Sequence, residues 1–482
     1  MYAFAAAASL VAGLLHLRRS TAAPPKQARI GILGTAAIAS KNSLGITTGG
    51  HCVAAIGSRS QAKAEAWARA HAPRAACYGS YEALLADASL HAVYIPLPCG
   101  LHGEWVRRAA AAGKGVLVEK PTARSLGELE GMVRACAAAG VPFLDGTMFH
   151  FHAREAEMER AIRAPAFGAL TRVNSAFSFC GDQGFRDSNI RMDPALEPMG
   201  CLGDLGQYCI RFGLWAYGWE LPASVRAVAH ARNPRGVPTD TSCTFTWASG
   251  KVLQCDNSFN HAFRQWGEVV GTGAVLRCED FVISQSHASC AFQVTTRPDL
   301  DALHSSVVGT TTRSRVLGCN QEAQMWRQFG AAALARTFVP LWAERSLKVQ
   351  ACLDAAFASM AADGAETAVA RPRALDCVGR GGCGEQDCPC RRGEPPRPPR
   401  RAPLLPPQLK SMPKVLAPGE ELYLCSCGAS ATYPLCDGSH RAYNAQHGTT
   451  FAPTKVVNAT QEPSTVYLWC VRGCLAAFFL GA

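Results

Sequence analysis

The sequence predicts an α/β domain with a parallel sheet, then an α+β domain with an open antiparallel-rich sheet, then a small β-rich segment. Three observations predict this. From Arg29 to Asp145, short apolar runs alternate with amphipathic stretches of helical period, which is the pattern of successive βαβ units. From about His150 to Asp363, strand-like runs follow one another with only turn residues between them. Near the end, three cysteines and a histidine stand at fixed offsets in CSCGASATYPLCDGSH, Cys425 to His440.

The 482 residues are enough for about three domains of ordinary size. We divide them into a targeting or anchor segment (1–28), an α/β domain (29–145), an α+β domain (146–372), a linker (373–412) and a small β-rich domain (413–482). Hydrophobic residues make up 48% of the chain, as soluble cores require. The 22 cysteines do not form a disulfide framework. Cys52, Cys77, Cys99, Cys136 and Cys209 are scattered singly through apolar runs, as buried free thiols are.

The N-terminal run Tyr2 to Leu17 is short for a membrane span and is followed by Arg18 and Arg19. No acidic residue precedes Glu65. An organellar transit peptide, for mitochondrion or chloroplast, is the first reading. A signal-anchor that would attach the chain to a membrane is the second, and a cytoplasmic chain with an unstructured start is the third.

In the first domain, ARIGILG is a strand ending at Gly34, and GTAAIA opens the helix after it. A glycine turn there lets the backbone approach a pyrophosphate, and the helix N-terminus stabilises its charge. Gly34, Thr35, Ala36 and Ile38 are the residues expected to do so, although Ala36 and Ala39 replace two glycines of the usual fingerprint. HCVAAIGSRS is the second strand, and it ends in Ser58 and Arg59. An acidic residue here would suit a ribose 2′-hydroxyl, whereas a hydroxyl and a guanidinium suit a 2′-phosphate, so NADP is favoured over NAD. QAKAEAWARAH is a helix. HAVYIPLP is a buried strand that brings Pro96 to the same end, with His102 and Trp105 on the helix that follows. His102 is expected either to contact nicotinamide or to cap its helix. GVLVEKP supplies Glu119 and Lys120, and VPFLDG ends at Asp145 near the domain junction.

In the second domain, AREAEMERAIRA is a helix and TRVNSAFSFC a strand. A helix around Asp204 to Trp215 carries Asp204 and Tyr208 at i and i+4, one face of one turn. SVRAVAHA, TSCTFTWA, KVLQCDNSF and AVLRCEDFVI read as an antiparallel meander, and QEAQMWRQFGAAALA and LKVQACLDAAFASMAADG as closing helices. Asn189 and Arg191 precede the Tyr208 helix and are expected to meet substrate hydroxyls.

The stretches IPLPCGLHGEWVRRAAAAGKGVLVEKPTA, NIRMDPALEPMGCLGDLGQY and RSLKVQACLDAAFASMAADG resemble the Gfo/Idh/MocA oxidoreductases, in particular the branch with D-xylose and dihydrodiol dehydrogenases. The resemblance spans roughly residues 29 to 372. It implies a Rossmann domain followed by an α/β domain whose open sheet often forms a dimer face, hence a homodimer. It implies that Lys120 helps bind substrate and tune proton transfer, that Tyr208 is the acid/base, and that Asp204 is its acidic neighbour. The chemistry agrees: a carbinol loses a hydride to nicotinamide and a proton to the protein, and a tyrosine whose pKa an adjacent ammonium lowers is a suitable base. The expected substrate is a sugar, polyol or vicinal diol.

The net charge is +11, of which the stretch 371–410, with nine basic and four acidic residues, supplies +5. That stretch is proline-rich and carries no aromatic residues among its arginines, so it reads as a stiff solvated linker and not a nucleic-acid platform. Cys377, Cys383, Cys388 and Cys390 within it match no known ligand spacing, and a glycine-rich linker is the reading preferred over a second metal site.

Three thiols and one imidazole suit zinc or an iron–sulfur cluster. The run Cys425–His440 resembles the CDGSH iron–sulfur domain, with Ser430 and Pro434 at the expected places. That resemblance implies a [2Fe-2S] cluster, one iron on Cys425 and Cys427 and the other on Cys436 and His440. The later strand VYLWC starts no second complete motif, because no histidine follows it. The competing whole-chain reading is non-enzymatic: a redox sensor or cluster-transfer protein on a nucleotide-binding scaffold.

Overall fold

The computed structural model describes residues 26–374, except 285, 287–288, 297–298, 301–306, 309 and 318–319, and beyond them five strands between 413 and 480. Most of the leader, the four linker cysteines and the ligand set Cys425, Cys427, Cys436 and His440 lie outside the described residues. Among the described residues no helix is long and apolar enough to cross a membrane, and no cluster of three metal-ligating side chains occurs.

Six strands, β1 (Arg29–Leu33), β2 (Cys52–Gly57), β3 (Ala76–Tyr78), β4 (Ala92–Ile95), β5 (Gly115–Val118) and β6 (Phe143–Asp145), form one parallel sheet in the order β3-β2-β1-β4-β5-β6. The helices between them are α1 (Ala37–Thr48), α2 (Gln61–His71), α3 (Tyr81–Leu85), α4 (Cys99–Ala111) and α5 (Leu126–Ala138). Strands β4 and β5 are buried at every residue, which is why they read as unbroken apolar runs. Strand order reverses between β1 and β4, so the crevice for a ligand opens where Gly34 and Pro96 leave the sheet.

The second domain is a nine-stranded sheet with its helices. After α6 (Ala153–Ile162) come β7 (Leu170–Cys180), α7 (Gln183–Ser188), α8 (Gln207–Ala216), β8 (Ser224–Arg232), β9 (Pro238–Thr246), β10 (Val252–Ser258), β11 (Asn260–Gly271), β12 (Ala274–Cys278), β13 (Ser289–Thr296), β14 (Asp299–Leu300), β15 (Val307–Val308) and β16 (Thr311–Leu317). Two long helices, α9 (Gln321–Leu334) and α10 (Pro340–Ala361), and the short strand β17 (Thr367–Ala368) complete it. The order is β16-β13-β12-β11-β7-β10-β9-β8-β17.

This corrects the expected meander. Strands β8 to β10 do run antiparallel, but β7 then inserts between β10 and β11 and pairs with β10 in parallel. Strand β11, the longest here, escaped sequence reading because Gly267 and polar residues break its alternation. Gly267 has a packing reason: a Cβ there would lie 2.6 Å from the Phe212 ring. All ten residues of α8 are buried, and its own Gly213 sits as tightly on Leu253. Helix and sheet approach so closely only because neither surface carries a side chain at these points.

Helices α9 and α10 do not stay with the sheet they follow. Helix α9 packs on α1, with Trp326 against Gly45, where a Cβ would stand 2.9 Å from the indole. Trp326 Nε1 donates to Asn42 at 2.7 Å, Asn42 donates to the Tyr94 hydroxyl at 2.8 Å, and Tyr94 donates to Glu119. Helix α10 packs on α5 and β6 as well as on α8 and β8. Its Ser346 and the Arg211 of α8 both hold the fully buried Asp145.

A second buried charge cluster lies behind the site. His150 Nδ1 stands 3.0 Å from Glu155, and His150 Nε2 and Glu155 Oε2 have no hydrogen-bond partner. Burial pushes the Glu155 carboxyl up to about 8, against the pull of Arg345. Burial and the Arg211 and Arg345 cations hold the His150 imidazole far below its usual range. At neutral pH the proton therefore sits on the carboxyl. A carboxyl whose pKa is raised on folding costs stability as pH climbs from its ordinary 4.5 to about 8. Glu155→Gln is thus expected to stabilise the fold at pH 8.5 by on the order of 2–4 kcal/mol and by almost nothing near pH 4.5. Thermal melts of both chains at the two pH values check this.

The C-terminal unit stands by itself. Strands β18 (Pro413–Leu416), β21 (Ser464–Val471) and β22 (Cys474–Leu480) form one antiparallel sheet, and β19 (Glu421–Leu424) pairs antiparallel with β20 (Thr454–Val457). VYLWC lies inside β21, and β19 ends one residue before Cys425.

Candidate active site

The turn after β1 is built for a phosphate. Gly34 has φ +105°, and a Cβ there would lie 3.1 Å from Leu97 and 3.5 Å from the Tyr81 hydroxyl. Helix α1 begins with Ala36 as N-cap, so no side chain covers its first N–H groups, and no acidic residue stands in its first turn. The amino end is left open to an anion. Thr35 and Ala36 are half-buried beside it, and Ile38 is 39% exposed, a large apolar side chain at the rim.

At the end of β2, Ser58 is buried and its Oγ accepts from Ser60 N at 3.3 Å. Arg59 is exposed. Pro96 is buried at the end of β4.

Lys120 follows β5 through a cis bond to Pro121. Its Nζ lies 2.6 Å from Asp204 Oδ1. The other carboxylate oxygen of Asp204 meets Arg191 Nε at 2.8 Å. Burial alone would raise the Asp204 pKa, but the Lys120 and Arg191 cations overcome it and hold the carboxyl down at about 2. Asp204 therefore stays ionised and fixes two cations side by side. It sits in a π-helical turn, Leu202–Gly206, that runs into α8, so the Asp204–Tyr208 turn is wider than the regular turn expected.

Tyr208 is 3% exposed, and its ring lies under Lys120 Nζ at 5.5 Å from the centroid, between Phe149 and Phe177. Its hydroxyl donates only to Met148 Sδ, at 3.7 Å. The expectation of a lowered tyrosine pKa is overturned. Burial raises it strongly, the Glu119 and Asp204 carboxylates raise it further, and Arg211 opposes them. The ammonium meant to lower it is already matched by Asp204.

Other expected roles also change. His102 is fully buried, with Nε2 2.7 Å from Leu97 O and Nδ1 3.1 Å from Thr122 O. Burial pulls its pKa down, so the neutral ring donates to one carbonyl, the nearer being Leu97. It ties the β4 turn to the Thr122 segment and does not cap its helix, whose N-cap position is Pro98. Glu119, expected beside the cofactor, is buried, and its carboxylate accepts from Tyr94. Trp105 packs edge-on against Tyr81, 4.9 Å between centroids. Asp145, expected near the domain junction, binds Arg211 and Ser346.

Asn189 accepts from Arg191 N at 3.1 Å. It lines a cavity of about 720 Å³ with Phe185, Arg186, Ile190 and Arg232, whose lining includes neither Lys120 nor Tyr208. Arg191 is paired with Asp204. One group was missed altogether: Glu197, 7% exposed, accepts from Cys99 N at 3.1 Å. Its signal was in plain view, a lone carboxylate inside the apolar ALEPMGCLG stretch.

Comparison with known proteins agrees with this geometry. Residues 28–146 match the oxidoreductase family model with the NAD-binding Rossmann fold, and residues 156–277 match the C-terminal domain model of the same family. Residues 407–441 match the iron-binding zinc finger of CDGSH type. A D-xylose 1-dehydrogenase (NADP(+)) from Haloferax volcanii is 40% identical over 248 residues, 51% of this chain and 74% of the relative. A trans-1,2-dihydrobenzene-1,2-diol dehydrogenase from Sus scrofa is 30% identical over 202 residues, 42% of this chain and 58% of that one. Among solved structures, a 3-ketoreductase from Actinomadura kijaniata bound to NADP and TDP-benzene superposes with TM-score 0.62 at 24% identity, covering 69% of this chain and 98% of its own, which shows a shared fold. With Lys120, Asp204 and Tyr208 gathered at the carboxyl end of a parallel sheet, the chain belongs to the Gfo/Idh/MocA family of oxidoreductases and carries a C-terminal CDGSH-type segment.

Proposed function

We propose that this protein interconverts a carbinol and a carbonyl on a sugar, polyol or vicinal diol with NADP(H), and that its C-terminal segment holds a [2Fe-2S] cluster. The observation that carries the first part is the Asp204 clamp, which presents Lys120 beside the Tyr208 ring. The named activities of the xylose and dihydrodiol relatives support the substrate class.

The residues present fit the nucleotide. Gly34 leaves room for a pyrophosphate at the uncapped end of α1, and Arg59 stands exposed where a 2′-phosphate would need a cation. When bound, the nicotinamide supplies the hydride donor or acceptor. The protein handles the proton. Tyr208, with its raised pKa and a hydroxyl proton committed only to a thioether, is suited to donate that proton to a carbonyl oxygen. Lys120 places a fixed positive charge next to the same oxygen, and Asp204 prevents that charge from drifting.

The test is NADPH-linked turnover across a panel of aldoses and diols and their oxidised forms. No turnover would overturn the reading. With an active substrate in hand, Arg59→Ala is expected to lower the NADP-over-NAD preference in kcat/KM by about 10–100-fold, the worth of one charged phosphate contact.

For the cluster, three thiolates and an imidazole are a fitting donor set. A histidine ligand must be deprotonated to bind, so acid should release the metal. Visible absorbance is expected to fall as pH drops from about 8 to about 5.5, and His440→Cys to abolish that loss. Absorbance that survives acid in the unaltered chain would remove His440 from the ligand set. We assign the protein to a homodimer through the open face of its nine-stranded sheet and to an organelle through its N-terminal run. Gel filtration and fractionation test these two points.

A further inference from the structure

Residues 189–206 carry Arg191, Glu197 and Asp204 in one pass between the two domains. Their middle, 195–197, is docked on the amino end of α4, a helix of the nucleotide-binding domain. Pro98 offers α4 no side-chain cap. The substrate domain provides one instead. Cys99 N donates to the Glu197 carboxylate at 3.1 Å, and Gly100 N donates to Leu196 O at 3.1 Å. The fit is tight, because a Cβ on Gly100 would stand 2.7 Å from Ala195 O. Glu197 itself is braced by Asp193, whose carbonyl accepts from Glu197 N at 2.8 Å.

We propose that Glu197 is a positioning residue, which fastens the segment bearing Arg191 and Asp204 to the nucleotide-binding domain beside Lys120. This deepens the function proposed above and rests on it for its consequence in turnover. The fastening itself does not.

Five groups face this carboxyl: the Cys99 thiol and N–H on α4, Lys120 after β5, and Arg191 and Asp204 on its own segment. Glu128, paired with Arg124, stands behind Cys99. Burial drives the Glu197 carboxyl up to about 7; the Cys99 N–H works against this, Asp204 adds to it, and Arg191 and Lys120 oppose it. Released from the interface, the group would be solvated and titrate at its ordinary 4.5. The fastened form thus binds the proton more tightly. Fastening must weaken as pH rises from about 4.5 to about 7, and stay level above that.

The test is hydrogen–deuterium exchange at the Cys99 and Gly100 amides of the full chain, expressed as protection factors at pH 5.5 and pH 8. In the unaltered chain protection is expected to fall about 30-fold between the two. Glu197→Gln keeps an acceptor but no charge, so the fall should vanish and protection at pH 8 should exceed the unaltered value. Glu197→Ala should lose protection by about tenfold at both pH values, and should raise KM far more than it lowers kcat. Equal protection in the Ala variant, or a fall in the Gln variant as large as in the unaltered chain, overturns the proposal. Should the Ala variant fail to fold, the Gln variant decides alone. Should no panel substrate turn over, the proposed function fails, while exchange still decides for or against Glu197.

Discussion

Tyr208→Phe is expected to lower kcat for carbonyl reduction by about 10²–10⁴-fold, the range general acid catalysis contributes. NADPH affinity and thermal stability should hardly move. The ring is what packs against Phe149 and Phe177, and phenylalanine keeps it. The hydroxyl contributes only a contact to Met148 at 3.7 Å, too weak to matter for folding. Single-turnover rates with saturating NADPH separate the chemical step from binding. A rate within threefold of the unaltered enzyme would move the proton donor elsewhere. Because burial and the Glu119 and Asp204 charges raise the phenol pKa, reduction should hold its rate well into alkaline solution. A tyrosine tuned downward by Lys120 would instead lose its proton early and show a falling limb.

Asp145→Ala should destabilise the protein severely. Asp145 is fully buried, and Arg211 and Ser346 both bind it. Burial would raise its pKa, yet the Arg211 cation and the hydrogen bonds from Ser346 and Thr147 hold the carboxyl below its usual value. Removing it strands the buried Arg211 guanidinium, whose Nε already has no partner. Breaking such a pair costs about 3–5 kcal/mol, a large share of the stability of an ordinary domain. Thermal unfolding is the measurement, with Ser346→Ala as a milder control that should cost about 1 kcal/mol.

Five of the six strands of the first sheet were legible because inner strands such as β4 and β5 are apolar at every residue, whereas β3, an edge strand with no buried residue, and the short α3 after it carry no such signal and were not read. The turn at Gly34, Lys120 after β5 and the Asp204–Tyr208 spacing were legible too, each as a local pattern. The insertion of β7 beside β10 was not. It is a pairing between residues far apart in sequence, and β11 hides its period behind Gly267, which exists for the sake of Phe212. The state of Tyr208 was not legible either. A phenol's pKa depends on which charges face it and which are already spent, and Lys120 proved to be held by Asp204. His102 shows the same limit from another side, since a histidine at the start of a helix reads as a cap until both ring nitrogens are found against the carbonyls of Leu97 and Thr122.

The line of contacts from Trp326 through Asn42 and Tyr94 to Glu119 has a bearing on how the chain matures. The nucleotide-binding half is translated first, but α1 leaves Gly45 and Asn42 bare until α9, some 280 residues later, emerges from the ribosome. No early fragment can finish its own surface. Completion of the packing beneath Glu119 therefore waits on nearly the whole of the two domains having been made.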